Sequence, residues 1–125
     1  MSVDKFEDLV AWQRSRELTR EVYRLCATPK VRRDFGFCSQ VQRASVSIMS
    51  NLAEGFERAR PKEFHQALSI SKGSCAEVRS LLYVALDCGY VTIAEYDRIN
   101  TIAVSASQLI GALRAAVARR IKNEE

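Results

Sequence analysis

Apolar residues recur along this chain at the three- and four-residue spacing of an α-helix, in four long runs separated by short polar breaks. In the first run Ala11, Ser15, Leu18, Val22, Leu25 and Cys26 share one face, and Trp12 and Tyr23 extend it. The pattern predicts a helix from Phe6 to Ala27, ended by Pro29, which cannot continue the backbone bonding. Pro29-Lys30-Val31-Arg32-Arg33 reads as a basic loop, and Asp34 as the N-cap of the next helix. That second helix runs from about Phe35 to Glu57, with Phe37, Val41, Ile48, Leu52 and Phe56 on its apolar face. Arg58-Ala59-Arg60-Pro61 breaks it, and the proline suits the first position of a third helix. This third helix extends to about Cys88 with Phe64, Ala67, Leu68, Cys75, Val78, Leu82 and Leu86 inward, and Gly89 is placed to stop it. Thr92-Ile93-Ala94-Glu95 has the form of a capping box. It opens a fourth helix, Ile93 to about Arg120, whose face is Ile99, Ile102, Ala106, Leu109, Ile110, Leu113 and Val117. The tail Lys122-Asn123-Glu124-Glu125 is expected to fray.

Short connections between long amphipathic helices favour antiparallel neighbours. The expected architecture is therefore all-α, an antiparallel up-down-up-down four-helix bundle filling residues 1–125 as a single domain. Some faces are wider than one core requires. Ile70, Leu81, Val84 and Cys88 form a second strip on the third helix, and Val46, Met49 and Ala53 widen the second. Surplus apolar surface of this kind predicts self-association.

Composition agrees with a helical globule: 47% apolar residues, only two prolines and five glycines in 125 residues. The formal charge of +4 is a mild basic bias, compatible with a polyanionic partner. Cys26, Cys38, Cys75 and Cys88 contain no C-x-x-C pair and have a single histidine for company, which is not a zinc pattern. Cys26 and Cys75 fall on apolar faces and are expected as buried thiols. The N-terminal residues show no secretory pattern, and no unbroken apolar run approaches the roughly 18 residues of a membrane span. A cytoplasmic location without membrane contact is expected.

The second helix carries an unusual polar file. With about 100° per residue, Gln40, Arg43, Ser47, Asn51 and Glu54 fall within roughly 80° of one another. Ser74 and Glu77 are neighbours on the third helix. Three readings stand: a solvated face, a polar network that organises helix or subunit packing, or a ligand or catalytic site using Glu54 and Glu77 as an acid–base pair. No nucleophile accompanies the carboxylates, and neither an enzyme nor a cofactor is expected. A di-iron bundle site needs Glu-x-x-His motifs, whereas the lone histidine sits in Glu63-Phe64-His65. No metal is expected, and His65 is expected to be exposed.

Basic residues gather in loops and at one helix end: Lys30, Arg32, Arg33, Arg58, Arg60, Lys62, Arg119, Arg120 and Lys122. Arg16, Arg20 and Arg24 step down the first helix, diluted by Glu17 and Glu21. Phosphate contacts by such residues would give sequence-independent, salt-sensitive affinity. The competing reading is a solvated surface, with the last cluster complementing a helix dipole.

Several motifs resemble one family. Phe6-Glu7-Asp8-Leu9 with Trp12-Gln13 is similar to its opening F-x-D-L-x-x-W-Q. Gln40-Val41-Gln42-Arg43-Ala44, Ser47-Ile48 and Ser50-Asn51-Leu52-Ala53-Glu54-Gly55 resemble its Q-x-x-R-A-x-x-S-I-x-x-N-I-A-E-G signature. Glu63-Phe64, Gly73-Ser74, Glu77 and Gly89-Tyr90 resemble its later pattern. This is the family of four-helix bundle proteins of 23S rRNA intervening sequences, also called S23-like. Leu52 stands where isoleucine is usual, and Arg60-Pro61 where a capping serine is common. The resemblance implies a bacterial ring-forming bundle, a homopentamer. It is similar also to accessory proteins of diversity-generating retroelements, which bind a reverse transcriptase and nucleic acid. The expected function is a non-enzymatic oligomer that associates with RNA or DNA backbone through Arg32, Arg33, Arg58, Arg60, Lys62, Arg119 and Arg120. The alternative is a scaffold for a protein partner, such as a reverse transcriptase or ribosomal component. In either case Gln40, Arg43, Ser47, Asn51, Glu54, Ser74 and Glu77 are expected to be structural.

Overall fold

The computed structural model describes residues 3–124. A short 3-10 turn at Phe6–Asp8 leads into four α-helices: α1 (Val10–Ala27), α2 (Phe35–Glu57), α3 (Pro61–Asp87) and α4 (Ile93–Glu124). The first helix therefore begins later than the periodicity predicts. Leu9 is extended (φ −69°, ψ 120°) and separates the turn from α1, while its own N–H closes the turn onto Phe6 O. Leu9 is buried, so the break puts an apolar side chain inward between two helical segments of different pitch.

The helix boundaries have local causes. Asp34 caps α2 by accepting the Phe37 N–H at 3.0 Å. Pro61 occupies the first turn of α3, where a missing N–H costs nothing. Gly89 has φ +71° just past the end of α3, a conformation that glycine adopts without strain. At the start of α4 the Glu95 N–H donates to Thr92 Oγ1 at 3.1 Å, and Glu95 Oε1 accepts the Thr92 N–H at 2.9 Å. At its far end α4 continues through Lys122 and Asn123 to Glu124 instead of fraying. Ile121 is half-buried against the core there, which ties the last turn down. Glu125 lies outside the described residues.

The helices form a closed square in which α1 touches α2 and α4, and α3 touches α2 and α4. Contacts run in opposite senses along every edge. Ser47 meets Ser74 and Ile48 meets Ser71, whereas Gly55 meets Phe64 and Ala67. Arg14 meets Ser105 while Glu21 meets Arg98; Thr19 meets Ser45 while Cys26 meets Cys38; and Ser69 meets Arg114 while Tyr83 meets Tyr96. Each neighbouring pair is thus antiparallel, and the bundle goes up-down-up-down. The core is a column of Leu18, Val22, Val41, Ile48, Leu52, Leu68, Cys75, Val78, Leu82 and Ile110, all fully enclosed. Burial of a Leu or Ile side chain of this kind contributes roughly 1.5–3 kcal/mol.

Among the described residues α4 is the one helix long and apolar enough to cross a membrane by length and composition. Between Asn100 and Leu113 its polar residues are serine, threonine and amide, so a window of low charge exists although no unbroken apolar run does. Ile99, Ile102, Ala103, Ala106 and Ile110 from this stretch are buried in the bundle, as in a core helix.

Candidate functional site

The polar file of α2 divides on folding. Ser47 and Asn51 are half-buried, and Gln40, Arg43 and Glu54 are exposed. Asn51 Nδ2 donates to Ser47 O at 2.9 Å and to Ser47 Oγ at 3.1 Å. Ser74 Oγ reaches across from α3 to Ser47 Oγ at 3.0 Å. One level along, the buried Ser71 donates to the Ile48 carbonyl at 3.0 Å. Serine hydroxyls thus join α2 to α3 while the Asn51 amide holds Ser47 from within α2, and among the described residues each buried side-chain polar atom has a partner. Below this chain of bonds the helices press together at Gly55. A Cβ on Gly55 would lie 2.6 Å from Ala67 Cβ and 3.0 Å from Phe64 Cδ1. The glycine of the N-x-A-E-G segment is therefore required by close approach.

Gln40, Arg43, Glu54 and Glu77 do not join these bonds. Among the described residues their side chains form no hydrogen bond or ion pair within the chain, and they face solvent. A depression of about 230 Å³ beside Glu54 is lined by Asn51, Gly55, Arg58, Glu63, Gln66, Ala67 and Ile70, without Glu77. The two carboxylates considered as an acid–base pair do not share it.

Topology separates the basic residues. Arg32 and Arg33 lie in the α1–α2 loop, at the end where α3 passes into α4. Arg58, Arg60 and Lys62 lie at the opposite end, with Arg119 and Arg120 on the last turns of α4. With 27 residues in α3, the two ends stand about 40 Å apart. The seven residues are thus two groups and not one patch. A depression of about 400 Å³ at the second end brings Arg60 and Arg120 together over Phe56, Pro61 and Phe64, with Asp4 and Glu57 also in its wall. Exposed ion pairs lie across this end: Arg58–Glu63 at 3.2 Å, Arg60–Glu63 at 3.6 Å and Arg120–Glu124 at 3.6 Å. Such pairs are weak and exchange readily for another anion.

The Arg32–Arg33 end is braced from within. Asp34, already capping α2, also accepts the Tyr90 hydroxyl at 2.7 Å. Tyr90 packs edge-on to Phe37, with centroids 5.4 Å apart. Lys30 donates to Gly89 O at 3.3 Å and lies over the Tyr90 ring. The Tyr90 hydroxyl and then the Phe37 N–H hold the Asp34 carboxyl below its ordinary range. The same bond, with burial, pushes the Tyr90 phenol up to about 12.

Three of the four thiols are shielded by position. Cys26, Cys38 and Cys75 are buried, and Cys88 is exposed. Burial, with Cys38 beside it, raises the Cys26 thiol to about 12, and burial raises Cys75 to about 11. His65 is half-buried and not exposed, because its position on α3 faces the α4 side. No group of three or more His, Cys, Asp or Glu able to hold a metal occurs among the described residues. Lys72 is a residue that periodicity alone assigns to a solvated side. It crosses the α3–α4 seam and donates to Ser107 O at 2.8 Å and Ser107 Oγ at 2.9 Å. Its signal in the sequence is Gly111, where a Cβ would come within 3.1 Å of the ammonium nitrogen.

The family model of the 23S rRNA-intervening sequence proteins matches residues 7–112. The chain belongs to the 23S rRNA-intervening sequence protein family. A solved protein of unknown function from the S23 ribosomal protein family of Bacteroides thetaiotaomicron is similar in fold, with TM-score 0.77 and 20% identity over 84% of this chain and 98% of that one. No curated protein matches this chain. In this 23S rRNA-intervening sequence protein the match includes Arg32, Arg33, Arg58, Arg60 and Lys62 and stops before Arg119 and Arg120. The basic end thus combines a family-matched loop with a C-terminal extension of α4 beyond the match.

Proposed function

We propose that this chain is a non-enzymatic, self-associating, cytoplasmic bundle that binds the phosphate backbone of RNA or DNA. The supporting observation is the convergence of Arg58, Arg60, Lys62, Arg119 and Arg120 at one end, brought there by an interhelix loop and a helix terminus far apart in sequence. Guanidinium groups on a rigid helix end, held only by exchangeable surface pairs, can turn to phosphates at little cost. Surplus apolar surface, including Ile70 and Val84, supports self-association, and the family resemblance makes a homopentamer the expected state. Several copies would multiply the charge presented to a polyanion. The test is light scattering and binding to mixed RNA across a salt series. Affinity is expected to fall linearly in a log–log plot. Undetectable binding at low salt, or binding indifferent to salt, would sink the reading.

One observation favours a second reading, a scaffold for a protein partner. Phe35 at the start of α2 and Ile93 at the start of α4, 82% and 71% exposed, both lie at the Arg32–Arg33 end. Large apolar side chains so open are suited to a partner's surface. Capture of a defined protein that survives nuclease and high salt, and is abolished in Phe35→Ser, would favour this reading over the first.

A further inference from the structure

The depression at the Arg60–Arg120 end combines three kinds of side chain, and binding a phosphate backbone calls for only one of them. Its apolar lining includes Phe56 and Phe64, both half-buried, which meet edge to face with centroids 6.0 Å apart. Its wall holds two guanidinium groups, Arg60 and Arg120, and two carboxylates, Asp4 and Glu57. Those four charges cancel, so the depression is no general cleft for a polyanion. Nor do they pair with one another. Each arginine reaches at 3.6 Å to an acid beyond the wall, Arg60 to Glu63 and Arg120 to Glu124. Among the described residues Asp4 and Glu57 form no ion pair. Four exposed charged groups thus stand round two aromatic rings with free bonding capacity.

One class of ligand uses all three kinds. A flat heteroaromatic ring can lay its face on a phenylalanine. An amino group on its edge can donate to a carboxylate. An attached phosphate can accept from a guanidinium fork. The molecule that carries all of these is a nucleotide with its base unpaired, because in a duplex both faces of a base are covered by stacking. The volume of about 400 Å³ lies within the roughly 300–1,000 Å³ of small-molecule sites, so the depression admits one nucleotide at a time.

We propose that this depression is a site for an unpaired nucleotide of a single strand whose base bears an exocyclic amino group. The base lies against Phe56 and Phe64, the amino group donates to Asp4 or Glu57, and the phosphate sits between Arg60 and Arg120. The inference rests on the reading that the basic end binds nucleic acid. It adds that this end separates single strands from duplex, and amino-bearing bases from uracil. Cytosine offers a carboxylate its amino hydrogens. Uracil offers carbonyl oxygens on either side of one N–H, and a carboxylate repels them. Arg58, Lys62 and Arg119, outside the depression, would take the neighbouring phosphates without regard to sequence.

Anisotropy titrations of the full chain at one low salt concentration test this, with oligocytidylate, oligouridylate and a duplex of equal phosphate count. Oligocytidylate is expected to bind about tenfold more tightly than the duplex, and more tightly than oligouridylate. Cytidine monophosphate should compete for the site where ribose 5-phosphate does not. D4N/E57Q is expected to raise affinity for oligouridylate and to abolish the preference for cytosine, which a merely structural role of the two acids would not do. Phe56→Leu keeps the apolar contact and removes the stacking face, and is expected to bring the single strand down to the affinity of the duplex, with helix content followed by circular dichroism. Asp4 and Glu57 are exposed, so D4N/E57Q decides the matter even where Phe56→Leu disturbs the fold. Equal binding of duplex and single strand, with an ordinary salt slope, overturns the inference and leaves backbone binding standing. So does a preference for cytosine that D4N/E57Q leaves unchanged. Failure of all three polymers to bind at low salt overturns nucleic-acid binding itself, and this inference with it.

Discussion

The two ends of the bundle solve the same problem, closing four helices, by opposite means. At the Arg32–Arg33 end, polar groups are directed inward. Asp34 serves Phe37 and Tyr90 at once, Lys30 is drawn onto Gly89 and the Tyr90 ring, and Val31 and Val91 are buried beneath. At the other end the connection is a tight Arg58–Arg60 turn in which Ala59 takes φ +58°. There the close approach at Gly55 sets the geometry, and the charged side chains point to water. The bonds that brace this end engage Asp34, Tyr90 and Lys30 and leave Arg32 and Arg33 exposed. An end stabilised by backbone packing keeps its side chains available.

The contrast breaks first on binding. R58Q/R60Q/R120Q is expected to weaken RNA binding at low salt by about tenfold or more and to flatten the salt slope by roughly 0.7–0.9 for each phosphate no longer neutralised. R32Q/R33Q is expected to change it little. Equal effects of the two variants, measured by anisotropy across a salt series, would erase the distinction between the ends.

Next in size is Gly55→Ala. The added methyl must push α2 and α3 apart at a helix crossing with no free space, and overpacking of this kind costs about 1–3 kcal/mol. Urea unfolding should show the drop in stability. Gly73→Ala on the same helix pair meets nothing within 4 Å and serves as the control. There replacement of a mid-helix glycine should stabilise by roughly 0.5–1 kcal/mol.

The braced end predicts a pH signature. The Asp34 carboxyl is held low, so its contribution is present above the unfolded carboxylate range and is lost as pH falls through the folded value. Tyr90 is raised to about 12 from 10.0, so its contribution is complete below pH 10.0 and lost as pH rises toward 12. Tyr90→Phe should flatten both limbs of a stability–pH curve by lowering the neutral region, where both contributions are complete, and should change the acid and alkaline extremes least. An unchanged alkaline limb would show that the hydroxyl bond contributes nothing there.

The smallest effect is expected at Ala59. Its left-handed backbone costs an L-residue about 1–2 kcal/mol, against roughly 0.5–1 kcal/mol of extra chain entropy for glycine. Ala59→Gly should therefore raise the melting midpoint slightly, and a fall would mean that the methyl packs usefully.

Much of this fold is legible in local chemistry. The break at Arg58–Pro61, the Asp34 cap, the Gly89 stop and the Thr92–Glu95 box each act within a few residues, so their spacing identifies them directly. The candidate site is less legible. Arg32 and Arg60 look alike as loop arginines, yet they belong to opposite ends. Ser47 and Asn51 look like Gln40 and Arg43 as members of one helical file, yet only the first two join the bonded chain that leads to the third helix. Lys72 looks like a surface lysine until Ser107 and Gly111 arrive from α4.

What this sequence determines alone is therefore the set of helices, their ends, their inward faces and the family to which they belong, because hydrophobic period and capping are interactions between near neighbours in the chain. Only the tertiary structure decides which arginines share an end, which polar residues bond and which stay free. Those depend on the antiparallel registry of four helices, and registry is set by contacts such as Gly55 against Ala67 and Ser71 against Ile48, between residues that no local pattern connects.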